Sequence, residues 1–211
     1  MMTTFQKQAG ISLIVFTVLI VCTMVLHPTG GNFDYLLKIA GMVIISHSIA
    51  LLSLPIATVG FWGLTKRLGT DQFLSVTAFV IACFSLLAML MAATMNGLVL
   101  PFFVQRYREA GPAMIESLQP FLKYNATVNT AFDDMYTAAF CLAMLLWGVV
   151  MLQTKRFPAW VAWLGIALAI LGITLLVTGF AFNSLHGLRL FISGVTVWIL
   201  AVGIVMINGG N

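Results

Sequence analysis

Two adjacent aspartates, Asp133 and Asp134, stand in the stretch YNATVNTAFDDMYTAAF (124–140) of a chain that has six acidic residues in all. Asn125, Asn129, Asp133 and Thr137 recur every fourth residue, so a helix through them carries a polar stripe on one face, with Tyr136 beside it. Asp134 lies about 100° further round and faces a different neighbour. A stripe of that length suggests a wet crevice able to hold a substrate or an ion. A second reading asks less of the sequence. Thr130-Ala-Phe-Asp133 fits the T-x-x-D form of a capping box, with acids favoured by the dipole at a helix N-terminus, and polar groups at the edge of a span need only reach water.

Other polar residues fall on the same side of the apolar segments. His27 ends the first segment, His47 lies within the second between Ser46 and Ser48, and Asn96 is near the far end of the third. Asn183, His186 and Arg189 surround the start of the last. Ionisable groups in or beside spanning segments are costly and therefore mark sites by default. The candidate binding set is His47, Asn96, Asn129, Asp133, Asp134, His186 and Arg189. Arg189 is expected within ion-pair reach of Asp133 or Asp134, because each charge lowers the cost of the other. His186 and Arg189, three residues apart, could instead grip a lipid phosphate or another anion. Three histidines with an aspartate could in principle bind zinc, but no H-x-x-x-H or H-E-x-x-H occurs and the histidines belong to three separate segments. No metal site is assigned, haem ligation by two histidines is weaker still, and no cofactor is specified. No nucleophile–base pairing is visible, so no catalytic residue is named.

The elements that must position these groups are apolar. The chain has 211 residues, 61% hydrophobic and 8% charged, against roughly 25% charged in soluble domains. Runs of about 18 apolar residues or more read as spanning helices, since hydrocarbon offers the backbone no outside partner. Six such runs give an all-α polytopic membrane protein, a single transmembrane domain over 1–211. The helices are expected at about 10–27, 35–64, 72–104, 120–153, 158–182 and 186–208. No small-residue cleavage pattern follows the first run, which is kept as a true helix. Cys22, Cys83 and Cys141 lie in apolar stretches without C-x-x-C spacing and read as small apolar residues. The net charge of +4 is dispersed over the loops and suggests no nucleic-acid face.

Lys66-Arg67 and Lys155-Arg156 fill two short turns on the side of Lys7, which favours both termini in the cytoplasm. Measured from those turns, about 20 residues at 1.5 Å each cross the hydrocarbon, yet the second and third helices continue beyond it. Helices two to four are therefore read as projecting past the outer surface, capped by a short amphipathic helix in the 106–123 connection. The shared TKR of FWGLTKRLG and VMLQTKRFP hints at a repeat, although positive-inside selection alone could produce it. Gly165, Ala169 and Gly172 form a small-residue stripe suited to packing inside the bundle. Met89, Met91 and Met95 read as flexible core filling rather than a soft-metal path.

The stretch FDDMYTAAFCLAMLLWGVVMLQTKRFPAWVAWLGI resembles a group of uncharacterised bacterial six-helix membrane proteins, whose fourth and fifth helices join through an F-P-x-W-x-x-W-L-G-like segment. The resemblance covers the second half of the chain. It implies a bacterial inner-membrane protein and carries over no functional residues. Pro158 and Trp160 have a physical reading without it, as a helix start and an interfacial anchor. Three function classes follow. The first is binding or transport of a small amphiphile, lipid or ion in an outward-facing crevice. The second is an accessory or structural subunit, and the third a membrane-embedded metal-dependent enzyme. The lipid bilayer is the one partner implied, and oligomeric state is not encoded in any visible pattern.

Overall fold

The computed structural model describes residues 4–28, 31–179 and 185–209, apart from the side chains of 185, 186 and 188. The chain is an all-α bundle of six helices: α1 (Thr4–Leu26), α2 (Phe33–Leu68), α3 (Phe73–Arg106), α4 (Pro112–Thr154), α5 (Ala159–Val177) and α6 (Leu185–Asn208). All six contain stretches long and apolar enough to cross a membrane. Large apolar side chains such as Leu52, Phe84, Trp163 and Ile170 point outward along them, as hydrocarbon requires.

Helix length divides the bundle in two. At 1.5 Å per residue α1, α5 and α6 are about 28–36 Å long, close to the roughly 30 Å of hydrocarbon, whereas α2, α3 and α4 reach about 51–65 Å. The three long helices therefore overshoot at one end. The 106–123 segment is not the separate capping helix the sequence suggests. Pro112 opens α4 at its first turn, and the helix runs through Pro120 without a break to Thr154. The overshoot has its own apolar cluster, in which Phe33 of α2, Val104 of α3 and Leu118 of α4 are buried among Leu37, Phe103 and Ile115. Burial of these side chains supports a helix that its Pro and polar residues alone would not.

At the opposite end, called the turn end here, the helices stop sharply. Gly69 leaves α2 at φ 113° while its N–H reaches Thr65 O, and Lys155 leaves α4 in the left-handed conformation at φ 52° with its N–H on Met151 O. The two basic turns meet. Arg67 Nη2 donates to Arg156 O (3.1 Å), Arg156 Nη1 returns a bond to Arg67 O (3.0 Å), and Arg67 Nη1 reaches Val205 O on α6 (2.9 Å). Arg67 is buried over the Phe157 ring, whereas Arg156 stays exposed and Lys66 lies over the Phe5 and Trp62 rings. Above this clamp the core is dry and aromatic. Phe61, Trp147 and Trp198 stack in series, with Trp147 Nε1 donating to Thr65 Oγ1 and Trp198 Nε1 to Val161 O. Small residues bring the backbones together, as the sequence stripe on α5 anticipates: Gly165 lies against the Trp198 indole and Gly172 against Cys141 and Phe191.

Candidate functional site

His47 and Asp133 each lie 21 residues from the turn end of their helices, α2 and α4, which puts both about 32 Å along the bundle. A hydrocarbon slab of about 30 Å measured from the turns would end at that level. The same level is where the dry core ends and the overshoot cluster begins. Between the two lies a cavity of about 430 Å³. Met24, Met89, Tyr136 and Ile192 of the main core line it from one side, and Leu36, Leu100 and Leu122 of the overshoot cluster from the other. Ala50, Ala92, Ala93 and Ala126 leave the space open.

The polar lining forms a belt between those apolar walls. It contains His27, His47, Asn96, Asn125, Asn129 and Asp133. On α4 the every-fourth-residue stripe supplies three of them. Asn125 Nδ2 donates to Asn96 Oδ1 of α3 (3.2 Å), and Asn129 Nδ2 donates to Asp133 Oδ2 (2.8 Å). The capping reading is overturned, because α4 begins 18 residues before Thr130, which instead donates its hydroxyl to Ala126 O (3.0 Å). Asp133 is thus a mid-helix carboxylate turned into a cavity. The fourth stripe residue, Thr137, sits deeper, fully buried and outside the lining.

The two histidines meet with ring centroids 4.8 Å apart. His47 Nδ1 lies 2.8 Å from Val43 O and 3.2 Å from Ser46 Oγ, and His27 Nδ1 lies 3.0 Å from Pro28 O. A carbonyl oxygen only accepts, so both Nδ1 atoms carry protons and a neutral ring keeps its lone pair on Nε2. Burial lowers the His27 pKa from its ordinary value, with the Arg189 charge adding in the same direction and the Pro28 carbonyl opposing. His27 is therefore neutral at neutral pH. The belt as described offers lone pairs, amides and a carboxylate.

Local backbone geometry on α3 makes room for this. Met95–Val99 is one π-helical turn in which Leu100 N–H bonds Met95 O, five residues back. Pro101 has no N–H to give Gly97 O, which loosens the ladder at that place. A Cβ on Gly97 would collide with the His47 side chain, so glycine allows α3 to close onto α2 while Asn96 faces the cavity. π-turns of this kind are frequent at functional sites.

Of the residues singled out in the sequence, the structure brings His47, Asn96, Asn129 and Asp133 to one cavity. Asp134 and Arg189 are outside the lining, and the side chain of His186, like Asn183, lies outside the described residues. Arg189 is not paired with either aspartate. Its Nη2 donates to Met24 O and His27 O (both 3.2 Å), capping the carbonyls at the end of α1. Met89, assigned from sequence to core filling, both packs on the core and lines the cavity. Gly97 was not singled out, although Asn96-Gly97 four residues ahead of Pro101 is a local signal of an irregular helix. Among the described residues no group of three or more His, Cys, Asp or Glu side chains is arranged to hold a metal. No family model, curated protein or solved structure matches the chain.

Proposed function

We propose that this membrane protein binds a small amphiphilic molecule in the cavity between α1, α2, α3 and α4, as a carrier or receptor for it in the plasma membrane. One observation carries the reading: a cavity of about 430 Å³, within the 300–1,000 Å³ typical of ligand sites, has a polar belt held between two apolar walls at the edge of the hydrocarbon. A lone polar cavity would suit water, and an apolar one would suit lipid chains. A belt next to apolar walls suits a molecule with a head and a short tail.

The orientation supporting this reading places the turn end and both termini in the cytoplasm. Each end carries five Lys and Arg residues, but Lys38, Arg106, Arg108 and Lys123 belong to the overshoot, away from the span ends, where positive-inside selection is weakest. The resemblance of the second half to bacterial six-helix proteins makes the bacterial inner membrane the proposed location. Impermeant thiol labelling of a chain without native cysteines should reach Ser117→Cys in intact cells and Thr70→Cys only after lysis. Labelling in the reverse order would invert the topology.

Native mass spectrometry of the protein extracted with its surrounding lipid tests the binding itself. A small bound mass is expected in the unaltered protein, absent from Ala93→Trp, which fills the cavity. Bare protein in both cases, in samples that stay folded, would make the bundle a structural subunit instead.

A further inference from the structure

Asp133 is half-buried, and its single hydrogen-bond donor among the described residues is Asn129. Asp134 follows it directly, and neither carboxylate is ion-paired within the described residues. Unpaired carboxylates at the edge of hydrocarbon are costly unless a positive charge or a proton meets them. No Lys or Arg is present in the described lining. Arg189 lies nearby, but its guanidinium is held by the carbonyls that end α1, where the helix dipole already supplies the opposing partial charge. The remaining belt adds acceptors, the neutral His27 ring, the His47 ring with its Nδ1 committed to Val43 O, and the amide oxygens of Asn125 and Asn129, beside the neutral amide N–H groups of Asn96, Asn125 and Asn129. What this set lacks is a cationic donor.

We infer that the cavity selects an organic ammonium ion, a primary amine carrying a short apolar tail. Its charged N–H groups bond the Asp133 carboxylate and the histidine and amide acceptors, while the tail lies against Leu36, Leu100 and Leu122. An inorganic cation would meet the carboxylate but leave the apolar wall unused. An anionic amphiphile would face the Asp133 carboxylate, with Asp134 adding the same sign of charge just outside the lining. The inference rests on the binding function proposed above and adds the sign and donor character of the head group.

The test compares three probes with one tail, n-hexylammonium, n-hexanol and hexanoate, titrated into the purified full-length protein at mildly alkaline pH, where an alkylamine stays protonated. The readout is the shift in thermal unfolding midpoint, with sodium chloride as a fourth arm. Hexylammonium should bind about ten- to a hundredfold more tightly than hexanol, the worth of one charge-assisted hydrogen bond, and hexanoate should not bind. Asp133→Asn should abolish the preference for the amine while hexanol binding persists, and Asp134→Asn should keep the preference. Equal binding of amine and alcohol, or preference for hexanoate, would overturn the inference and leave the binding function standing. A sodium chloride shift equal to that of the amine would overturn it in favour of an inorganic cation site. If no probe binds, both readings fall. The three-probe comparison on the unaltered protein decides the matter even if a variant does not fold.

Discussion

At the turn end a set of polar groups closes on protein partners: Thr65 accepts from Trp147, Arg67 donates to Val205 and Arg156, and Arg156 donates back to Arg67. At the cavity end, about 32 Å away along α2 and α4, Asp133 has a single amide donor among the described residues, and the two histidines direct their Nε2 lone pairs to no partner among them. The same chain thus contains one polar network that is internally complete and one that is not. A complete network locks helices together and has nothing left with which to recognise another molecule. An incomplete one beside a cavity is a poor way to hold a bundle together but a good way to receive a ligand. Charge alone does not distinguish the two ends. The difference lies in what the side chains meet.

Substitutions at the two ends should consequently separate stability from binding. The largest stability loss is expected from Trp147→Ala, which empties a fully buried site between Phe61 and Trp198 and should cost about 3–5 kcal/mol in denaturant unfolding from micelles. Its ligand affinity, measured on the fraction that remains folded, should change little. A loss of affinity with unchanged stability would break the division between the ends. Gly97→Ala should cost about 1–3 kcal/mol, since the added methyl must displace His47, and it should weaken binding as well because the cavity wall moves. Arg67→Met removes donors from Val205 O and Arg156 O and should lower stability by a comparable or smaller amount, about 1–3 kcal/mol, without touching binding.

Asp133→Asn should behave in the opposite way. Removing an unpaired carboxylate from the edge of hydrocarbon should leave stability within about 1 kcal/mol of the parent, or raise it, while abolishing selectivity for the head group. The smallest effect concerns His27. Burial holds its folded-state pKa below the unfolded value, so the unfolded chain binds the proton more readily, and the His27 contribution to stability is present above about pH 6.5 and is lost as pH falls below it. The unfolding midpoint of His27→Gln should therefore decline less than that of the parent between about pH 7 and pH 5. Equal declines would mean that His27 is solvated in the folded protein.

Much of the cavity end could be read from spacing. The fourfold repeat Asn125, Asn129, Asp133 places its members on one face wherever α4 begins, and the apolar runs set the depth of His47 and Asn96. The start of α4 was not legible. Thr130-x-x-Asp133 is the same string at a helix start or in the middle, and what decides is whether the preceding residues also fold as helix. They do so by packing Leu118 on Phe33 and Val104, two contacts distant in sequence. Arg189 was misplaced for a related reason. Its competing partner was not a charged residue but the end of α1, whose free carbonyls attract a cation without appearing in any list of side chains. The Met95–Val99 π-turn depends on a fit between Gly97 and His47, two residues on different helices, which no local pattern specifies.

If the space between the dry core and the overshoot cluster is a ligand site, an experimental density map of the protein in a lipid nanodisc should show elongated non-protein density with one end at Asp133 and the other against Leu36 and Leu122. A map in which side chains close that space, or in which it holds water alone with Asp133 paired to a protein cation, would contradict that reading.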